Sequence, residues 1–494
     1  MTKENELKFS DSLSDDPLRI RRMADNFIDV ILNYWQSSGD DPVLPLKEPA
    51  DFLELQGMPL PEEGHSLTDI LDDFTRLLLP GITRIASPRY LGMMNPTPTL
   101  IAVFAESLAA ALNQNCSLWH QSPAAVETEK TVIRWLWELV GLEGSQPAGT
   151  LVSGGSIANI TALQMARRQA LGPALRRTGL YDAPPLRVYV SDQSHYSFEK
   201  AMEFLGLGLD NLRLVPSDHR FRIQPTILDE MIHADRAAGF RPAAIIGIAG
   251  TTNTGAVDPL DDLADLARHH DCWFHVDAAY GGAALLVPAK QPLFRGIGRA
   301  DSITLDPHKW FFIPYEAAAL LVRDPSALQM TFQVQPAYYL EQGRDDPSKI
   351  NPFEMGLQGS RSFKALKIWM AFRFFGRHHY RRILERHLGF ALRLHAFLAG
   401  TGAFELLHPP DLGILCFRAR PRCRGDSPPT AARFNELNRR LHQRLEREGR
   451  FWISITRMPG DRLALRVNFQ NYRTREEDFE ELCAYLLHLV KEEA

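Results

Sequence analysis

An aspartate and a lysine, each closing a short apolar run, constrain this chain more than any other feature. The aspartate stands in Trp273-Phe274-His275-Val276-Asp277-Ala278-Ala279-Tyr280-Gly281-Gly282, and the lysine in Ser302-Ile303-Thr304-Leu305-Asp306-Pro307-His308-Lys309-Trp310. Short apolar runs of this kind read as buried strands, so both residues fall just past strand carboxyl ends, where open α/β sheets bind ligands. Singly, each has an ordinary reading: Asp277 as the cap of a following helix, Lys309 as a solvated surface lysine. As a pair they suit pyridoxal phosphate (PLP) chemistry. A carboxylate keeps the pyridine nitrogen protonated so that the ring accepts electrons, while a lysine amine holds the aldehyde as a Schiff base. The pair predicts an enzyme.

The surrounding pattern predicts the fold class. From about residue 91 to 365, short β-branched runs alternate with helix-length amphipathic segments, the signature of an α/β protein with a mostly parallel sheet. Expected strands are 149–152, 187–190, 243–249, 273–276, 302–305 and 317–322. Residues 1–90 read as a helical segment: apolar spacing predicts helices over 16–35 and 67–79, separated by Pro42, Pro45, Pro49, Pro59 and Pro61. So little sequence cannot bury both helices alone, which predicts packing on something else, such as a second subunit. After Arg361 comes a long helix, and residues 366–494 are expected to form a small C-terminal α+β domain that ends in a helix over 476–490. Residues 418–430, rich in Pro, Arg and Gly, read as an exposed loop.

Composition narrows the function classes. A net charge of -5 over 494 residues offers no basic field for nucleic acid or anionic lipid. The first sixteen residues lack an apolar core of signal-peptide length, and no later stretch has the length of a membrane span, so a cytoplasmic protein is expected. Cys116, Cys272, Cys416, Cys423 and Cys483 have no paired short spacing, which predicts buried thiols and neither a disulfide framework nor a metal site.

Three further words lie past expected strand ends. Leu151-Val152-Ser153-Gly154-Gly155-Ser156-Ile157-Ala158-Asn159 opens a helix, placing backbone N–H groups and the Ser156 hydroxyl around an anion such as phosphate, or serving only as a strand-to-helix turn. It is neither a Rossmann fingerprint nor a P-loop. In Ser191-Asp192-Gln193-Ser194-His195-Tyr196, His195 either stacks on a planar cofactor or is a satisfied histidine at a helix start. Gly250-Thr251-Thr252-Asn253-Thr254-Gly255 offers hydroxyls or plain turn chemistry. His308 either meets the phosphate, orients Lys309, or packs.

Together these words resemble the group II PLP-dependent amino acid decarboxylases, which include the aromatic L-amino acid, glutamate, histidine and diaminobutyrate decarboxylases. The resemblance covers residues 88–482, and its most specific words are Asp-Pro-His-Lys-Trp and His-Val-Asp-Ala-Ala-Tyr. It implies a fold type I PLP enzyme, a homodimer with shared active sites and an exchanged N-terminal segment. Residue by residue, it assigns Lys309 to the Schiff base, Asp277 to the pyridine nitrogen, His195 to one ring face and Ala279 to the other. Gly155, Ser156 and Thr252 are assigned to the phosphate region with His308 nearby, and Arg466 to the substrate carboxylate or to structure, against the alternative of a surface ion pair.

The family also has a mobile loop whose tyrosine returns a proton to the substrate carbon. Here that loop is 333–350, and counting from its two ends selects either Tyr338 or Tyr339. The implied reaction is decarboxylation of an L-amino acid to carbon dioxide and an amine. Asn95 and Trp119, in or near the expected pocket wall, suit an aromatic or a polar side chain; an aromatic substrate is preferred over an acidic or basic one. The competing readings are an aldehyde-forming oxidative PLP enzyme and a non-catalytic interaction protein on the same fold. An NAD-dependent oxidoreductase is a further one, but its glycine fingerprint is missing.

Overall fold

The structure is a computed structural model that describes residues 16–39, 41–334, 349–422 and 429–493. The chain divides into two compact units: residues 94–417 with 468–470, and residues 1–93 with 418–467 and 471–494.

The larger unit is built on seven strands: β1 (Gly149–Val152), β2 (Leu186–Ser191), β3 (Leu212–Val215), β4 (Arg241–Ile248), β5 (Trp273–Asp277), β6 (Ser302–Leu305) and β7 (Ala318–Val322), in spatial order β1-β7-β6-β5-β4-β2-β3. β3, β2, β4, β5 and β6 run parallel, while β7 is antiparallel to both β6 and β1. Two reversals cancel, so β1 points the same way as β6, and every strand except β7 delivers its carboxyl end to one edge. β2, β5, β6 and β7 are buried along their whole length. That is the reason they read as continuous apolar runs rather than alternating ones.

Helices cover the sheet as the alternating pattern predicts. Ala158, Ala162, Leu163 and Met165 of the Gly155–Leu171 helix enter the same apolar cluster as Val188, Val190, Ile246 and Leu320. The Lys364–Thr401 helix is interrupted at Gly376, whose φ of 68° lies in the left-handed region that glycine enters without cost. It packs on the Leu100–Leu112 and Pro123–Val140 helices. One buried ion pair locks this layer to β1. Glu129 Oε1 accepts from Leu151 N at 2.9 Å and lies 2.5 Å from Arg361 Nη2, which also donates to Leu151 O at 2.7 Å and Thr150 Oγ1 at 3.0 Å. Removing one partner of such a pair costs about 3–5 kcal/mol, because the other charge is left buried alone.

In the smaller unit the Pro17–Ser37 helix has no buried residue, and Leu18, Ile20, Met23, Phe27 and Leu32 of its apolar stripe are exposed. The same unit holds an antiparallel pair, Ser454–Met458 with Arg462–Asn468, and the helices Ala431–Glu448 and Glu476–Glu493.

Three sequence expectations need correction. The edge strand β3 is not among the expected strands. The second N-terminal helix stops at Asp73 and continues as a wider π turn, Phe74–Leu78. Residues 418 and 419, expected in an exposed loop, end a buried strand instead. The Arg418 side chain is absorbed there by Leu463 O at 3.0 Å, Asn435 Oδ1 at 2.9 Å and the face of Phe434. Cys116, Cys272, Cys416 and Cys483 are buried and form no disulfide among the described residues, and Cys423 lies outside them. Among the described residues no helix is long and apolar enough to cross a membrane.

Candidate active site

The shared strand edge gathers the loops after β1, β2, β4, β5 and β6 around one cavity of about 610 Å³, within the usual range of small-molecule sites. Its walls include Gly155, Ser156, His195, Thr252, Asp277, Ala279, His308 and Lys309. Every cofactor-region residue expected from the sequence therefore meets in this cavity. Asn95 and Trp119 are not among its lining residues. Trp119 Nε1 donates to Glu127 Oε1 at 2.9 Å, and its ring lies under the Lys349 ammonium. Arg466, in the smaller unit, is 4% exposed, which excludes a surface ion pair; its guanidinium donates to Gly92 O at 2.5 Å and Ser454 Oγ at 3.2 Å. Tyr338 and Tyr339 lie outside the described residues.

Asp277 is the last residue of β5 and is 7% exposed. Each carboxylate oxygen has a donor: Ala279 N reaches Oδ1 and Asn159 Nδ2 reaches Oδ2, both at 3.1 Å. Behind Asn159 is a fully buried polar chain. Asn159 Oδ1 lies 2.7 Å from Thr304 Oγ1 and 3.1 Å from His275 Nε2, while His275 Nδ1 lies 2.9 Å from Ser302 Oγ, which accepts from Trp273 Nε1 at 2.8 Å. Burial pushes the His275 imidazole down to about 4, so this ring is neutral.

Lys309 follows β6 and is held at the cavity by its neighbours. Trp310, wholly buried, stacks on Tyr280 at 4.8 Å and donates to His387 Nδ1 at 3.0 Å. The Lys309 ammonium lies 3.2 Å from Asp306 Oδ2. His308 Nδ1 accepts from Ala317 N at 3.1 Å, which fixes the ring in the wall, and burial lowers its pKa. His195 Nδ1 accepts from Ser197 N at 3.2 Å, and burial likewise lowers its pKa against the pull of Asp277. Both rings are biased toward the neutral form.

The Gly155–Leu171 helix also begins at the cavity, so its free N–H groups and dipole favour an anion there. A Cβ on Gly155 would stand 2.9 Å from Asp306 Oδ2, so only glycine lets the turn close on that carboxylate. Asp306 itself is 2% exposed and its Oδ1 has no hydrogen-bond partner. A cation and an aspartate past neighbouring strands, an anion-binding helix start and an unsatisfied buried oxygen fit a cofactor with one aldehyde, one ring nitrogen and one phosphate. Sequence reading missed Asn159 and Asp306. Asn159 was legible as a polar residue between the apolar Ala158 and Ile160, and Asp306 as a carboxylate three residues before Lys309.

Comparison with known proteins agrees with this site. Residues 49–420 match the pyridoxal-dependent decarboxylase conserved domain. The chain is 31% identical to an aromatic-L-amino-acid decarboxylase of Bacillus atrophaeus, over 98% of each protein. Its fold superposes on the crystal structure of Oryza sativa TDC with PLP and tryptamine with a TM-score of 0.91 and 28% identity, covering 97% of this chain and 99% of that one. Rhodiola rosea 4-hydroxyphenylacetaldehyde synthase is also similar, with a TM-score of 0.86 and 26% identity over 97% and 98% of the two chains. The mostly parallel sheet with its ligand edge is thus the fold type I architecture, and the chain belongs to the pyridoxal-dependent decarboxylase family as a PLP-dependent carboxy-lyase.

Proposed function

We propose that this enzyme removes the α-carboxyl group of an aromatic L-amino acid as carbon dioxide and releases the corresponding amine. The observation that carries the reading is the placement of Asp277 and Lys309 past the ends of the adjacent strands β5 and β6, in one cavity. The aromatic preference is supported by the name of the Bacillus atrophaeus relative, which the chain matches over nearly its whole length.

PLP bound in this cavity supplies an electron sink for the pair left behind by carbon dioxide. The remaining chemistry belongs to the chain. Asp277 keeps a proton on the ring nitrogen through its charge, in a site dry enough for that charge to count. Lys309, whose amine lies at the cavity, would hold the cofactor's aldehyde carbon. His195 and Ala279 would flank the ring, with the imidazole biased by burial toward its neutral form. Gly155, Ser156 and Thr252 hold the phosphate with the helix N-terminus behind them, and His308 closes that side. Asn95, Trp119 and Arg466 keep only the expectation drawn from the sequence, substrate recognition, since none of them lines this cavity, and Tyr338 or Tyr339 is assigned to returning the proton at Cα.

We also assign a homodimer. The support is the Pro17–Ser37 helix, where Leu18 is 72% exposed, Ile20 51% and Phe27 49%, a stripe that water solvates poorly and a second copy would cover.

Borohydride reduction followed by peptide mapping should place the pyridoxyl group on Lys309, and Lys309→Ala should bind cofactor only reversibly and lose turnover. A label on another lysine refutes the assignment. In a panel of aromatic, acidic and basic amino acids, an aromatic one should release carbon dioxide fastest and yield amine. Aldehyde, hydrogen peroxide and ammonia as main products would instead favour the reading suggested by the Rhodiola rosea synthase. By light scattering after size exclusion the full chain should have twice the mass of one copy, and Ile20→Glu with Phe27→Glu should shift it toward monomer. A wild-type monomer at micromolar concentration overturns the dimer.

A further inference from the structure

We infer that Asn159, His275, Thr304, Ser302 and Trp273 form a one-way hydrogen-bond chain that holds Asp277 in its charged, accepting state. This rests on the reading of Asp277 as the partner of the ring nitrogen. The direction follows from donor chemistry. An ionised carboxylate only accepts, so Asn159 must turn Nδ2 toward Asp277 Oδ2, 3.1 Å away. Its Oδ1 therefore faces Thr304 Oγ1 at 2.7 Å and His275 Nε2 at 3.1 Å and must accept from both. The His275 proton is thus on Nε2, leaving Nδ1 to accept from Ser302 Oγ at 2.9 Å. At the far end the Trp273 indole can only donate, and it donates to Ser302 Oγ at 2.8 Å. The two ends, one donor only and one acceptor only, allow a single orientation of every group between them.

Reversing the Asn159 amide would turn its oxygen toward the Asp277 carboxylate, and moving the His275 proton to Nδ1 would leave Nε2 and Asn159 Oδ1 as two facing acceptors. Asn159 is 1% exposed, and His275, Ser302 and Thr304 are wholly buried, so no solvent can relieve such a clash. Asn159, Thr304, Ser302 and Trp273 do not titrate in the working range of pH, and the His275 ring is neutral there. The chain thus aims a donor at Asp277 Oδ2 without adding a charge that could compete for the ring nitrogen. These are positioning residues; none is required to touch substrate.

The test uses holoenzyme with ¹⁵N-labelled cofactor. In the wild type the pyridine nitrogen should stay protonated across the stability range of the protein. Asn159→Leu should weaken cofactor binding by about tenfold to a hundredfold, the loss of one hydrogen bond to a charged group, and bring the nitrogen's deprotonation into that range, while borohydride still labels Lys309. Thr304→Val, which removes one donor from Asn159 and the 3.4 Å contact with His275 Nε2, should shift both readouts the same way by less, and it serves if Asn159→Leu fails to fold. His275→Gln, which retains a donor toward Asn159, should restore most of what His275→Phe loses. Unchanged affinity and an unchanged ¹⁵N titration in the folded variants overturn the inference. A Lys309 that takes no label in the wild type would overturn the underlying reading instead.

A second and independent observation lies away from the cavity. The geometry points to a divalent-cation site formed by His233, His269, His270 and Asp229. One ligand nitrogen from each histidine lies within 4.8 Å of the other two. Asp229 Oδ1 stands 2.6 Å from His270 Nε2 and 3.7 Å from His233 Nε2. The 3.7 Å separation is near the value of about 3.3 Å between donors that tetrahedral Zn²⁺ imposes with its bonds of about 2.0–2.1 Å, whereas the 2.6 Å contact is a hydrogen bond that the ion would have to open. Asp229 and His233 share a face of the Pro225–Ala237 helix, and the other two rings stand at the carboxyl end of the Leu260–His269 helix, where the dipole favours a cation. Arg236, which donates to His270 O, is the opposing charge. Chelator-treated holoenzyme titrated calorimetrically with Zn²⁺ should bind one equivalent, and Co²⁺ should give tetrahedral d–d bands. The exposed pair His233→Gln with His269→Gln should weaken binding by about a hundredfold. No saturable binding, or binding undiminished in the double variant, overturns the site.

Discussion

A carboxylate in a nearly dry place, which needs a donor for each oxygen, is the constraint on which the rest of the site depends. Asp277 has only 7% of its surface in contact with solvent. A polar group buried there without partners would be expensive. A helix, the turn after β5 and four strand residues are arranged to supply donors to it, directly or through Asn159. That demand explains polar side chains in the middle of the sheet, where packing alone would place apolar ones, and it couples the start of the Gly155–Leu171 helix to β5 and β6.

Much of the framework was legible because buried parallel strands announce themselves as apolar runs. The runs 149–152 and 302–305 coincide with β1 and β6, and 187–190 falls within β2. β3 was not legible, since Leu212 and Arg213 are half-buried and Leu214 is 50% exposed at a sheet edge, giving a mixed run. Arg418 failed for the opposite reason: in sequence a Pro- and Arg-rich stretch signals solvent, and only the long-range partners Asn435 and Leu463 make burial of this arginine tolerable.

The candidate site shows the same division between local and long-range information. Residues that follow strand ends were found by position along the chain, and the cavity gathers Gly155, Ser156, His195, Thr252, Asp277, Ala279, His308 and Lys309. Asn159 and His275 act on Asp277 from segments more than a hundred residues apart. Part of that was still readable: His275 and Asp277 are two apart in one strand and so share a face. The helix that adds Asn159 could be placed there only by the sheet order.

β7, the one reversed strand, sets how freely the lysine can move. Because β7 runs back beside β6, the segment 306–317 that bears Lys309 is fastened at both ends to neighbouring strands, about 5 Å apart. A side chain on so short a loop, with Trp310 buried beside it, has few places to go. The reversal of a single strand thus acts as a tether for the lysine.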